Sequence, residues 1–263
     1  MKNLTLLTSS LALASLCSAN SISTSPIFGD NMVLQRGLTN NIWGKADAGE
    51  KITVNFRGNI AKATTAKDGV WKLKIPTGKA GGPFDFKVTS ADGDSLSYSN
   101  VLVGDVWLCT GQSNMHWEVK KFDSKDAQRA KGLSKKLRMF TVKRQAKVLP
   151  DGQADTNREF SAEMPWTAAT PESALQFSSV GFNFGVDLNE KLNIPIGLIA
   201  ANHGGSKVEA WMSRAELRSE PSTKKNLEEF LSATEKKGKP PGGPNSWNSA
   251  LYSCYIHPIV GYG

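Results

Sequence analysis

The sequence predicts two architectures in series, a β-rich N-terminal module and then an α/β domain, and two changes of texture along the chain carry that expectation. Residues 22–103 run as short segments in which apolar and polar side chains alternate, the period of half-buried strands. From residue 104 the pattern becomes continuous apolar runs separated by longer stretches with helical spacing, which points to a sheet of parallel strands flanked by helices.

The N-terminus comes before both. Lys2, an apolar run over residues 4–16 and the small residues Cys17-Ser18-Ala19 form the three-part layout of a secretory leader, expected to be cleaved after Ala19. The mature chain is therefore expected outside the cytoplasm, secreted or periplasmic, with no membrane insertion after cleavage because no second run reaches spanning length. Cleavage leaves Cys109 and Cys254, too few for a disulfide framework, so stability must come from core packing.

In the first module, residues 20–103, strands are expected at 32–35, 41–44, 51–56, 61–65, 70–75, 84–89 and 95–99. Asp68-Gly69 and Asp92-Gly93 mark tight turns, because these dipeptides tolerate positive φ. Trp43, Phe56, Trp71, Phe84 and Phe86 can fill the space between two small sheets, which makes a β-sandwich the expected form. In the second module, residues 104–263, strands are expected at 105–110, 137–143 and 196–201 and helices at 125–136 and 174–191. Phe177, Val180, Phe184, Leu188 and Leu192 share one face of the latter helix. Pro240-Pro241-Gly242-Gly243-Pro244 reads as surface loop.

The formal net charge is +8, densest over residues 120–147, where Lys and Arg alternate with Asp123, Asp126 and Gln128. That alternation fits a solvated face. Nucleic-acid binding is not expected, since no exposed aromatics or reading motif accompany the basic residues. A positive field would steer an anionic glycan modestly.

Two stretches carry chemistry. In Gly104-Asp105-Val106-Trp107-Leu108-Cys109-Thr110-Gly111-Gln112-Ser113-Asn114-Met115 an apolar strand meets a glycine turn and then a serine, at the sheet edge where α/β proteins bind ligands. Ser113 at a helix start could attack a carbonyl while its own N–H, aligned with the helix dipole, holds the oxyanion; the same pattern also describes a turn glycine followed by a capping serine. In Ile196-Gly197-Leu198-Ile199-Ala200-Ala201-Asn202-His203-Gly204-Gly205-Ser206 a second apolar strand runs into glycines that either bring N–H groups to a substrate oxygen or form an ordinary loop.

Gly111-Gln112-Ser113-Asn114-Met115 resembles the nucleophile block of the sialate O-acetylesterase and acetylxylan-esterase group of SGNH hydrolases. Gly204-Gly205-Ser206-Lys207-Val208-Glu209-Ala210-Trp211 resembles the same family's second block, and Ser25-Pro26-Ile27-Phe28-Gly29-Asp30-Asn31-Met32-Val33-Leu34-Gln35 is also similar to it. The resemblance implies an N-terminal β-sandwich followed by an α/β/α flavodoxin-like SGNH hydrolase domain, and hydrolysis of O-acetyl groups on a sugar or glycan without metal or cofactor. It implies Ser113 as nucleophile, Gly204 or Gly205 as an oxyanion donor beside the Ser113 N–H, and Gln112, Asn114, Glu209 and Trp211 as support. The family's Asp-x-x-His block and Asn-containing block are not found, so the α/β domain is expected to be incomplete at its C-terminal side. His203 is the candidate substitute base, ahead of His116, which is expected to cap or face solvent, and His257, expected to pack. The alternative to an esterase is a non-catalytic carbohydrate-binding or scaffolding protein.

Overall fold

The computed structural model describes residues 22–133 and 135–263; the expected leader over 1–19 lies outside them. The β-rich part comprises β1 (Ser23–Thr24), β2 (Val33–Gln35), β3 (Thr39–Lys45), β4 (Lys51–Phe56), β5 (Asn59–Thr64), β6 (Val70–Pro76), β7 (Gly81–Ser90) and β8 (Ser95–Gly111). The alternation read from the sequence is physical: along β4 the side chains of Ile52, Val54 and Phe56 are buried, and along β6 those of Trp71, Leu73 and Ile75. Gly69 and Gly93 take φ of 77° and 100° in the turns their sequence announces.

The second part follows as α1 (Ser113–His116), α2 (Val119–Phe122), β9 (Leu137–Val142), α3 (Asp151–Ala154), β10 (Ala162–Ala168), α4 (Pro171–Ala174), α5 (Ser179–Leu192), β11 (Ile196–Asn202), α6 (Arg214–Ser219) and α7 (Pro221–Lys237). β1, β3 and β6 form a small sheet. A larger mixed sheet runs β10-β9-β11-β8-β7-β4-β5, with β2 beside β8. β8 belongs to both halves: residues up to Val103 pair antiparallel with β7, and Asp105 to Gly111 pair parallel with β11. Residues 95–99 and 105–110, expected as separate strands, are thus one continuous strand that passes through the expected 103/104 boundary. Gly104 marks the crossing.

β11 explains its own apolar sequence, since all seven of its residues are buried. Ile199 and Ala201 face a core shared with Phe140, Val142, Val33 and Trp166, while Leu198 and Ala200 face a second core with Met139, Phe182 and Val186. Strands covered on both faces read as unbroken hydrophobic runs. No helix among the described residues is long and apolar enough to cross a membrane.

Two helix expectations are corrected. Over 125–136 the chain forms a 3-10 turn at Ser124–Ala130, because only Ala127 and Ala130 are buried, at the three-residue spacing that eclipses in a 3-10 helix, and Gly132 then turns with φ of 80°. The helix expected at 174–191 is a capped turn, α4, followed by α5, which starts where the Ser178 hydroxyl accepts the Gly181 N–H at 3.1 Å. The buried side of α5 is also not its most apolar stripe. Gly181, Phe182, Gly185, Val186 and Asn189 face the sheet, leaving Val180, Phe184 and Leu192 exposed. Glycine decides the orientation: a Cβ on Gly185 would stand 2.5 Å from a Leu198 methyl, so the helix backbone sits too close to the sheet for any larger side chain.

Candidate active site

β8, β11 and β9 are parallel and in register, with Asn202 opposite Gly111 and Ala200 opposite Thr141, so the residues that follow all three emerge at one edge. At that edge Gly111 turns with φ of 136°, which disfavours any side chain, and Ser113 opens α1. The sequence suggests a helix dipole behind Ser113. The structure corrects this: α1 is a single turn of four residues, too short to accumulate a macrodipole, and only local N–H groups face the edge.

The two glycine-bearing stretches meet. The His203 N–H donates to the Gly111 carbonyl at 3.0 Å. A Cβ on Gly204 would lie 3.8 Å from Ser113 Oγ and 4.0 Å from Cγ of His116, so the backbone of the second loop passes directly over the serine. Gly205 adopts φ of 68° and its carbonyl accepts from Asn245 Nδ2 at 2.9 Å. Trp211 donates from Nε1 to Ser206 Oγ at 2.7 Å, and the Glu209 carbonyl accepts from the Ser249 N–H at 2.9 Å, so both hold the loop in place. Gln112 and Asn114 are exposed. Gln112 enters through its carbonyl, which accepts the His116 N–H at 3.0 Å. A cleft of about 470 Å³ opens at the Gly111-Gln112 turn that precedes Ser113, with walls that include Leu108, Gln112, Ser206, Val208, Trp211 and Ile256.

The imidazoles divide by partner. His257 Nδ1 is 2.7 Å from the Asn157 carbonyl, a packing contact away from the serine. His116, expected to cap or face solvent, turns inward to the loop at Gly204, and its Nδ1 is buried with no hydrogen-bond partner among the described residues. Nδ1 of His203 lies 3.1 Å from the hydroxyl of Tyr255. No hydrogen bond to Ser113 Oγ is formed among the described residues. Burial pushes both His116 and His203 below the ordinary histidine value; Arg144 lowers both further, and the His203 ring is also lowered by His116. Glu118 and Glu163 act in the opposite sense on His116, Glu118 being itself paired with Lys120 at 2.8 Å. Tyr255 and Arg144 escape sequence reading because nothing in their spacing connects them to Ser113.

A pH dependence follows. Because the folded-state values lie below the unfolded value of 6.5, the unfolded chain takes up protons first as pH falls, and stability is lost from there downward. Asp151 and Glu159, held below their ordinary values of 3.8 and 4.5 by Arg218 and Lys45, lose their contribution only at lower pH. Melting of the wild type is expected to drop between pH about 7.5 and about 5.5, and to drop less in a His116→Gln/His203→Gln double variant.

Against known families, residues 103–237 match the model described as "carbohydrate esterase, sialic acid-specific acetylesterase", a span that covers half of the chain and both loops of the site. The chain belongs to this esterase family. Its members are carboxylic ester hydrolases. Sialate O-acetylesterase of Homo sapiens is 28% identical over 249 residues, covering 88% of this chain and 44% of that protein. The Mus musculus enzyme is 29% identical over 85% of this chain and 42% of its own length. A carbohydrate acetylesterase from Xanthomonas citri superimposes with a TM-score of 0.75 at 30% identity, over 92% of this chain and 49% of the other. The mixed α/β sheet is thus the fold of a known carbohydrate acetylesterase. The chain spans less than half the length of these relatives.

For a member of this esterase family the approach of Gly204 makes a specific prediction. Gly204→Ala adds a methyl at ordinary contact distance, 3.8 Å from Ser113 Oγ, so the fold should be retained, while on the reading of Ser113 as the attacking residue proposed below the methyl crowds its hydroxyl. Turnover of an acetyl ester is expected to fall about 10²-fold with an unchanged melt, measured by steady-state kinetics beside calorimetry.

Proposed function

We propose that this chain carries the nucleophile and oxyanion donors of an esterase that removes O-acetyl groups from sugars, with Ser113 as the attacking residue. The observation that carries this is the position of Gly204 over Ser113 Oγ, which brings the two family blocks into one site. Ser113 Oγ adds to the acetyl carbonyl; the Ser113 N–H and that of Gly204 or Gly205 hold the oxyanion; the sugar hydroxyl leaves, and water releases acetate from the acyl-enzyme. The cleft walls of Trp211, Val208 and Leu108 offer apolar surface to a sugar ring, and the similarity to sialate O-acetylesterases favours an acetylated sialic acid among the candidates.

The finer architecture belongs to the same reading. The small sheet shares a core with β4 and β7, which supports a β-sandwich N-terminal to an SGNH-type α/β/α domain. The leader-like residues 1–19 support a secreted or periplasmic enzyme. A second reading, a carbohydrate-binding chain without turnover, draws on Ser113 Oγ having no basic partner among the described residues. Acetate release from O-acetylated sialic acid by the full chain tests both: release that requires Ser113 supports the esterase, whereas saturable binding with no release supports the second reading.

A further inference from the structure

Tyr255 is fully buried, and the direction of its hydrogen bond to His203 decides what that histidine can do. A hydroxyl closed off from water must give its proton to an acceptor, and Nδ1 of His203, 3.1 Å away, is the acceptor in reach. Burial raises the Tyr255 hydroxyl far above the usual phenol range, so the proton stays on the tyrosine. Nδ1 is then an acceptor, and a neutral ring must carry its own proton on Nε2. The phenol is fixed from behind: its ring lies 5.9 Å from Trp211, which is tied to Ser206, and meets His203 edge-on with centroids 6.0 Å apart.

We propose that Tyr255 is a positioning residue that locks His203 as a neutral Nε2–H donor to an oxygen of the substrate bound at Ser113, and so excludes His203 as the base for that serine. The proposal rests on the reading of Ser113 as the nucleophile. His203 stands beside that residue through its own N–H on the Gly111 carbonyl and through Gly204, its neighbour in the chain. With one ring nitrogen occupied by the Tyr255 proton and the other already protonated, His203 has no lone pair to offer Ser113 Oγ.

The tautomer is observable without turnover. In the ¹⁵N-labelled full chain, long-range ¹H–¹⁵N correlations at neutral pH report each imidazole; the chain has three histidines, and His203→Gln identifies the signal that disappears. The expected result is a protonated Nε2 and a bare Nδ1 for His203, changing to a mixture of tautomers in Tyr255→Phe. A protonated Nδ1 or a doubly protonated ring at His203 in the wild type overturns the proposal, whether or not Tyr255→Phe folds. Kinetics separate donor from base: His203→Gln, which keeps an N–H near the Nε2 position, should retain at least a tenth of the rate that His203→Leu loses, and equal loss in both also overturns it. Undiminished turnover in Ser113→Ala would instead remove the nucleophile reading and leave the tautomer result intact.

Discussion

Ser113→Ala is expected to abolish ester hydrolysis, lowering turnover of acetyl esters by at least about 10³-fold while leaving the melting transition where it is. The serine is half-buried at the start of a one-turn helix and its hydroxyl makes no hydrogen bond among the described residues, so removing one oxygen costs the fold little. On the proposed reading, chemistry loses its nucleophile altogether. Any residual rate comes from the backbone donors alone, which still polarise a carbonyl toward water. Gly204→Ala falls between wild type and Ser113→Ala, because it obstructs the approach to the same oxygen without removing it.

Gly104→Ala is expected to cost about 3 kcal/mol or more of stability, and a comparison with Gly29→Ala isolates the reason. A Cβ on Gly104 would stand 1.9 Å from the carbonyl oxygen of Pro195 and 2.6 Å from its carbonyl carbon. These are backbone atoms and cannot rotate aside. The same carbonyl accepts the Asp105 N–H at 3.0 Å, the first contact of β8 with the segment leading into β11, so any shift that relieves the clash opens the parallel pairing beneath Ser113. Gly29 has nothing within 4 Å of its Cβ position, and alanine there should change stability by no more than about 0.5 kcal/mol. Urea denaturation of the two variants checks the contrast, with loss of activity in Gly104→Ala tracking loss of the folded fraction.

What the sequence shows of this fold depends on how each element is stabilised. β4, β6, β9 and β11 are legible because burial on one face or both writes itself directly into the order of apolar residues. β10 is not: it carries Pro165, which argues against a strand, and is held by tertiary contacts such as the Trp166 indole N–H on the Ile27 carbonyl at 2.8 Å. α7 is nearly silent too, since only Leu227 and Phe230 of its seventeen residues are buried and the rest reads as polar surface. The orientation of α5 is hidden because glycines rather than large apolar residues set its contact with the sheet.

The site divides in the same way. Ser113, Gly204 and Gly205 lie in compact stretches whose turn chemistry and order along the chain announce them. The partners that set the state of His203 do not: Tyr255 arrives from 52 residues away, and Arg144 follows the end of β9 by two residues with no motif around it. A histidine beside a nucleophile reads as a base from sequence, but the hydrogen bond at its far nitrogen determines whether a lone pair is available.

The central proposal, that Ser113 beneath Gly204 is the attacking residue, is tested most directly by covalent capture. The native full chain is treated with a fluorophosphonate probe, and its peptides are mapped by mass spectrometry beside those of Gly204→Ala and of the urea-unfolded chain. The account predicts modification of Ser113 in the native wild type, less of it in Gly204→Ala and none after unfolding. A native chain that leaves Ser113 unmodified, whether the probe attaches elsewhere or nowhere, would contradict it.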